Sequence, residues 1–268
     1  MITLTADKNL KISKLIKSMN IDIPYSNFNK LLRNKDIKVN GKRVSKDIEV
    51  SVGDLVEIYY VLQDKPLNVV YKDDNVLVVI KPKGIESKDF YQSVKKQHDS
   101  ALFCHRLDRN TDGVMIFALN ENAENEILLG FKEHTFIKKY HATVIGKPKT
   151  KSAILNAYLV KNSEKSLVKI YNQQVKNSVP IKTGYKVIKE NGDTSLLEVT
   201  LYTGKTHQIR AHLAHIGHAI VGDGKYGDNN FNKQKKVKSQ MLSAYSLTLS
   251  FNSDSCLFYL NGKTFCIE

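Results

Sequence analysis

Two continuous apolar runs of strand length, Val76 to Ile80 and Val114 to Leu119, constrain this chain most, because neither leaves a polar face for water. Each predicts a strand buried on both sides. Lys81-Pro82-Lys83-Gly84 turns the chain after the first run. Before the second lies a polar stretch, His105-Arg106-Leu107-Asp108-Arg109-Asn110-Thr111-Asp112-Gly113, which reads as a loop presented by the sheet. Asn122 to Lys132 has the pattern of a helix, Lys139 to Ile145 and Leu196 to Tyr202 of strands, and Thr206 to Ile216 of a helix stopped by Gly217. Leu247 to Phe251 and Leu257 to Ile267 read as strands, with a hairpin turn at Asn261-Gly262. Strands and helices do not alternate regularly and nothing repeats, so a mixed domain of both is expected.

The N-terminal stretch has a different character. Between Lys8 and Met19 the apolar residues Ile12, Leu15, Ile16 and Met19 fall at helical spacing, which turns Lys11, Lys14 and Lys17 toward solvent. Ser26 is placed to cap a second short helix carrying Phe28, Leu31, Leu32 and Arg33. Asn40-Gly41 between Val39 and Val44 predicts a tight hairpin, and Val50 to Val61, turning at Gly53-Asp54, completes a small sheet. Residues 1–62 hold 11 basic and 7 acidic residues, a unit too small for an active-site cleft of its own. A binding module is its natural role. The expected organisation is therefore a module at 1–62, a linker at 63–68 built on Lys65-Pro66, and a main domain at 69–268.

Lys and Arg number 41 against 27 Asp and Glu, a formal net charge of +14. Such a surface attracts polyanions, which makes nucleic acid the leading partner, although a solvated Lys-rich surface has the same composition. The three cysteines, Cys104, Cys256 and Cys266, show no CxxC spacing, which argues against a disulfide framework or a thiolate metal site. With no leader-like start and no run of membrane-spanning length, a reducing cytoplasm is the expected location. The charge run Lys233 to Lys238 reads as a solvated loop.

Two stretches carry chemistry. In the first, Asp108 is flanked by Arg106 and Arg109; cations beside a carboxylate favour its ionised form, as a nucleophile or base requires. An ordinary loop salt bridge would use the same residues. In the second, Leu201 to His218, the chain turns at Gly204 and enters a helix with Thr206 at the N-cap position, where free amides suit an anion. Ile209, Leu213 and Ile216 give the packed face, while His207 and Arg210 share another and point together. A metal hydrolase built on His207, His212, His215 and Asp223 is an alternative, but the His-Glu-x-x-His spacing of metalloproteases is absent, and no metal or cofactor is expected.

Four blocks in order, "NVLVVIKPKGI", "HRLDRNTDGVMIFALN", "KKYHATVIG" and "LYTGKTHQIRAHLAHIGHAIVGDGKYG", resemble the RluA-type pseudouridine synthases across roughly residues 69 to 251. The first 62 residues are similar to the αL RNA-binding domain of a small-subunit ribosomal protein, through "IKVNGKRV" and "VGDLVEI". The resemblance implies an α+β fold with a mixed, largely antiparallel central sheet and flanking helices, behind a small αL domain. It implies cleavage of the C1′–N1 bond of a uridine in RNA, rotation of the base, and joining of C1′ to C5, with no atom gained or lost and no cofactor.

By the same resemblance Asp108 is the catalytic carboxylate, acting on C1′ or on the C2′ proton. Arg210 pairs with it, and Tyr140 stacks on the base and is placed for proton transfer at C5. Leu213 packs against the base edge, and Arg106 fills the gap left by a flipped nucleotide or binds a phosphate. His105, Thr111, Thr206 and His207 are expected at the substrate, with Lys81 and Lys205 beside them. On the N-terminal module, Lys11, Lys14, Lys17 and Lys30, together with Arg33, Lys42 and Arg43, are the candidate RNA contacts. Asp112 stands where the family has Ser and is expected to face outward; Lys205 stands for Arg, keeping charge but losing a fork of donors. Ile85-Glu86-Ser87 departs from the ending of the first block. The implied target is large-subunit ribosomal RNA, acted on by a monomer. A transfer-RNA enzyme, or a catalytically silent RNA-binding or ribosome-assembly factor, would share much of the pattern.

Overall fold

The computed structural model describes residues 1–19, 21, 23–60, 66–162 and 167–267. They form two compact units, Met1–Pro66 and Leu67–Glu268. In the first, β1 (Ile2–Thr5) and β2 (Leu10–Lys11) lead into α1 (Ile12–Ser18) and α2 (Tyr25–Arg33). β3 (Ile37–Val39), β4 (Lys42–Val44), β5 (Glu49–Val50) and β6 (Leu55–Ile58) follow. The apolar spacing of α1 does what it predicts, burying Ile12, Leu15 and Ile16 against Phe28, Leu31 and Leu32 of α2 and Ile37, Val56 and Ile58 of the sheet. Asn40 and Gly41 both take positive φ between β3 and β4, as the two-residue hairpin requires.

Four details of this unit differ from expectation. Lys8 to Lys11 is not helical, because Leu10–Lys11 pairs with β5 instead, and Met19 ends α1 as an exposed residue. Helix α2 begins at Tyr25 behind Pro24, so Ser26 lies inside it and not at its cap. The strands around Gly53 do not pair with each other: β5 joins β2, while β6 lies between β1 and β3. The last residue of the expected strand, Val61, and residues 63–65 of the expected linker lie outside the described residues, and Asn68 already belongs to the next strand.

The second unit runs β7 (Asn68–Lys72), β8 (Val76–Lys81), α3 (Ser87–Gln97), β9 (Leu102–Phe103), β10 (Asp112–Ala118) and α4 (Glu121–Lys132). It continues with β11 (Ile137–Ile145), β12 (Ser152–Asn162), β13 (Leu167–Tyr171), β14 (Val179–Asn191) and β15 (Thr194–Leu201). The remainder is α5 (Gln208–His215), α6 (Asn229–Gln234), β16 (Leu242–Thr248) and β17 (Thr264–Cys266). The main path of the sheet is β13-β12-β14-β15-β11-β16-β10-β8-β7, with β17 paired to β16 and β9 to β10. It is antiparallel except where β10 meets β16. The fold is thus α+β, with a large mixed, mostly antiparallel sheet.

Strands β8 and β10 explain their own composition. Val76, Val78, Val114, Ile116 and Ala118 enter one core with Ala123 and Ile127 of α4, while Leu77, Val79, Met115 and Phe117 enter another with Phe90 and Val94 of α3. Helices cover both faces, so both alternating sets of side chains are apolar. Near the C-terminus, Phe258–Leu260 forms a 3-10 turn where a strand was expected, and Gly262 takes positive φ before β17. Lys233 lies in α6, so the Lys233 to Lys238 run is only in part a loop.

Candidate active site

The parallel contact of β10 with β16 pairs Asp112 with Ser243 and Gly113 with Ala244, so the loops entering the two strands lie side by side. The first of these loops carries Asp108. It is tied down on both sides of that residue. The Ser87 hydroxyl accepts the Leu107 N–H at 2.9 Å and donates to the Leu107 carbonyl at 2.8 Å. The Arg109 carbonyl accepts from the Gly84 amide at 2.9 Å and from Lys81 Nζ at 3.3 Å, and the Thr111 amide donates to the Asp108 carbonyl at 3.0 Å. Fixing the backbone before and after Asp108 leaves its side chain little freedom beyond its own rotamers.

Lys81 is completely buried and also donates to the carbonyls of Pro82 and Ile85, both at 2.9 Å. Burial pushes its pKa down to about 8, against the pull of Asp112 and Asp108. It is therefore a strut of the loop and not a substrate contact, contrary to expectation. His105 is corrected in the same way: its ring stacks on Phe131 at 4.5 Å and Nε2 accepts the Ile116 amide at 3.0 Å. Burial, helped by the Lys138 charge, lowers its pKa to about 3, so the ring is a neutral acceptor inside the domain. Thr111 is also buried, accepting from Gln240 Nε2 at 2.7 Å.

Helix α5 brings the second motif to the first. Arg210 Nη1 donates to Asp108 Oδ2 at 2.9 Å, while its Nε and Nη2 donate to Asp223 Oδ2 and Oδ1 at 2.7 and 2.9 Å. Asp223 is buried, and its Oδ1 also accepts the amides of Lys225 at 2.8 Å and Tyr226 at 3.1 Å. Burial alone would raise the Asp223 pKa, but the Arg210 fork and charge hold it below the ordinary range. Burial likewise works against the Arg210 charge, and the two carboxylates more than restore it, so the guanidinium stays protonated. His207 Nε2 faces the same Asp108 oxygen at 3.9 Å, and its Nδ1 lies 3.0 Å from the Tyr226 hydroxyl. Burial lowers the His207 pKa despite the Asp108 carboxylate.

His207 precedes α5 with a left-handed φ of 54°, a conformation that a non-glycine residue rarely adopts without a structural reason. The cap expected at Thr206 is accordingly not made. The Gln208 amide donates to the Lys205 carbonyl at 3.0 Å, which removes one of the donors the anion site was to use, and Gln208 Oε1 takes the Lys205 amide at 3.0 Å in return. The other histidines diverge, His212 to Thr183, His215 to Asn172 and His218 to the Ile145 carbonyl. Among the described residues no group of three or more metal-ligating side chains is gathered.

Tyr140 lies where the β11–β16 register slips between Lys139 and His141, a kind of irregularity that re-aims a side chain. It packs at the edge of two cores, and burial, reinforced by the Asp108 carboxylate, pushes its hydroxyl pKa well up. Leu213 is fully buried among Ala142, Val199 and Ile209, beneath the site and without surface for the expected base contact. Lys205 is exposed and does not line the cleft, whereas Thr206 does. Asp112 is held by Ser243 at 2.7 Å and Lys83 at 3.5 Å, and it too is not part of the cleft lining.

The cleft measures about 630 Å³ and is lined on this loop by Arg106, Asp108 and Arg109, and at α5 by His207 just before the helix and Arg210 within it. Lys161, Lys225 and Lys238 add positive charge at its walls. Its volume falls in the range of small-ligand pockets, and its chemistry suits an anionic ligand met by the Asp108 carboxylate, with Glu86 the other acidic group on the lining. The sequence reading missed Asp223 in this role, Tyr226 and Ser87. The signal for the first two was present in "VGDGKYG", where Gly222 at positive φ and a following Asp and Tyr mark a built turn.

Residues 59–215 match the family model described as RNA pseudouridylate synthase. A curated relative from Vibrio parahaemolyticus, "Ribosomal large subunit pseudouridine synthase C", is 29% identical over 82% of this chain and 78% of its own. One of the same name from Escherichia coli (strain K12) is 28% identical over 87% of this chain and 81% of its own. Among solved structures, "Human RNA Pseudouridylate Synthase Domain Containing 1" superposes with a TM-score of 0.66 at 26% identity, covering 77% of this chain and 84% of that one. With the family model spanning more than half its length and both long motifs meeting in one cleft, the chain belongs to the RNA pseudouridylate synthase family.

Proposed function

We propose that this RNA pseudouridine synthase isomerises uridines of large-subunit ribosomal RNA, and that Asp108 is the carboxylate that acts on the sugar. The observation that carries the reading is the ion pair of Asp108 with Arg210 at 2.9 Å inside a cleft walled by cations. Arg210 is anchored on Asp223 by two further hydrogen bonds, so it aims the Asp108 carboxylate without depending on it for its own position. The contacts of Arg210 and His207 fall on Oδ2 and neither engages Oδ1. That leaves Oδ1 as the oxygen that meets the sugar, whether at C1′ or at the C2′ hydrogen.

The uridine must be flipped out of its RNA to reach this carboxylate, at a cost of a few kcal/mol offset by stacking and phosphate contacts in the cleft. Tyr140 is the residue assigned to stack on the base and serve proton transfer at C5, and exposed Arg106 is assigned to the flanking RNA. The ribosomal target is supported by what the curated relatives are called. In the N-terminal unit, read as the αL RNA-binding domain, Lys11, Lys14, Lys17, Lys30, Arg33, Lys42 and Arg43 are all exposed, as phosphate contacts have to be. We assign the protein to the cytoplasm as a monomer that needs no metal, since an isomerisation calls for no redox partner or added water. No helix among the described residues is long and apolar enough to cross a membrane.

The test is to incubate the protein with unmodified large-subunit ribosomal RNA and map carbodiimide-resistant adducts, comparing the wild type with Asp108→Ala. New pseudouridine at discrete positions with the wild type, and none with a folded Asp108→Ala, is the expected result. Modification of transfer RNA alone would overturn the assigned target. Equal rates for the two proteins would overturn the role of Asp108, and no modification of any RNA would favour a silent binding factor.

A further inference from the structure

We infer that Tyr226 is the positioning residue of this site: its hydroxyl sets the tautomer of His207 so that a ring N–H points at Asp108 Oδ2, while its ring supports Arg210. The inference rests on the reading of Asp108 as the catalytic carboxylate. It begins from hydrogen bookkeeping. A phenol carries one hydrogen and accepts on its oxygen. The Tyr226 oxygen lies 2.9 Å from the Val168 amide, a group that can only donate, so toward Val168 the hydroxyl is an acceptor. Its one hydrogen is then free to serve His207 Nδ1, 3.0 Å away, and this is the direction we assign to the contact. A neutral imidazole that accepts at Nδ1 carries its proton at Nε2. That nitrogen is the one facing Asp108 Oδ2, at 3.9 Å.

The same side chain meets the other partner of Asp108. The Arg210 guanidinium carbon lies 5.3 Å from the Tyr226 ring centroid, within the range of a cation–π contact. The Tyr226 backbone amide donates to Asp223 Oδ1, the carboxylate that receives the Arg210 fork. Tyr226 therefore touches each group that faces Oδ2 and no part of the reaction itself. Its task is to hold an N–H and a guanidinium on one oxygen so that the other is presented to the sugar. A ring turned to the opposite tautomer would aim a lone pair at the carboxylate and oppose that arrangement.

The hydroxyl is separated from the ring by Tyr226→Phe, which keeps the support under Arg210. Its loss also strands the Val168 amide, so the decisive comparison is a cycle with His207→Gln, whose side-chain amide supplies an N–H near the position of Nε2 without a tautomer to set. On large-subunit ribosomal RNA, Tyr226→Phe is expected to lower kcat about tenfold with KM within about twofold. His207→Gln, which removes a ring that lines the cleft, is expected to lower kcat to a similar extent, and adding Tyr226→Phe to it to cost nothing further. An equal loss from Tyr226→Phe in both backgrounds, or no loss in either, overturns the inference. The ring is also read without RNA: long-range ¹H–¹⁵N spectra, with the His207 signals assigned by their loss in His207→Gln, are expected to show the Nε2–H form. The Nδ1–H form in the wild type overturns the inference as well. Asp108→Asn is run alongside: activity in that variant defeats the reading of Asp108, whereas an inactive variant with an additive cycle defeats only the role given to Tyr226.

Discussion

Arg210 is shared between two carboxylates, and the sharing is unequal. Asp223 is buried and takes two of its hydrogen bonds, while Asp108 takes one and faces the cleft. Truncating the buried partner leaves a cation without its anchor, which typically costs about 3 to 5 kcal/mol. Asp223→Ala is therefore expected to lose stability of that order in denaturant unfolding and to lose isomerase activity with it, although Asp223 touches no substrate. His105 makes a prediction of opposite kind, about pH. Its pKa falls from 6.5 to about 3 on burial, so the unfolded chain binds more protons between those values. Stability carried by the neutral ring is full above pH 6.5 and is lost as pH falls toward 3. His105→Gln keeps an acceptor for the Ile116 amide without a titrating group. Its stability relative to wild type should rise by about 1.4 kcal/mol for each pH unit lowered in the middle of that window. A parallel pair of stability–pH curves would sink this account. The resemblance placed His105 and Lys81 at the substrate, but a motif carries no side-chain direction. The structure turns both inward, where their task is to hold the loop.

The most legible strands are those whose burial is symmetric, although β11 and β15, which alternate, were read as well. β8 and β10 announce themselves because both faces are covered, and α4 because Asn120 accepts the Ala123 amide at 2.9 Å just before an amphipathic run. β12 and β14 were not read. Each mixes buried with half-exposed or exposed positions, with Lys and Asn among the open ones, and β14 holds Pro180 and Gly184, which read as breakers when no partner strand is known. The junction that makes the site is likewise a matter of pairing between distant segments, β10 with β16, 131 residues apart from Asp112 to Ser243. Gly113 is its narrowest point. It has φ 130°, and a Cβ there would overlap the Ala244 carbonyl oxygen on the neighbouring strand. Gly130 offers a comparison, since a Cβ there would overlap the Phe136 ring, and neither residue lines the cleft. Both Gly113→Ala and Gly130→Ala should destabilise by about 1 to 3 kcal/mol through overpacking. Only Gly113→Ala should lower kcat beyond the loss of folded protein, because it moves the strand that carries the Asp108 loop. Equal specific activity of the two variants, per folded molecule, would remove β10–β16 spacing as a determinant of the site.

At the scale of the molecule, charge divides between tasks. The chain carries +14, of which residues 1–62 hold 11 basic and 7 acidic residues, so most of the excess belongs to the unit with the cleft. Lys161 and Lys238 line that cleft and are exposed, whereas Lys11, Lys14 and Lys17 are exposed on the N-terminal unit. If the N-terminal unit binds RNA as proposed, its cations add affinity without belonging to the cleft lining. Neutralising them should then raise KM and leave kcat alone. Each phosphate contact removed also withdraws released counterions, which lowers the slope of log affinity against log salt by about 0.7 to 0.9. For Lys11, Lys14 and Lys17 replaced together by Gln, the expected outcome is a shallower salt dependence, weaker binding at low salt, and an unchanged single-turnover rate at saturating protein. Lys161→Gln with Lys238→Gln should also flatten the salt dependence, but with a slower rate, because these side chains line the cleft that is proposed to receive the flipped nucleotide. Filter-binding titrations across a salt series, paired with single-turnover assays, separate the two sets. An N-terminal triple variant with wild-type affinity and slope would show that this unit is not an RNA-binding domain, and would shift the whole electrostatic burden onto the cleft.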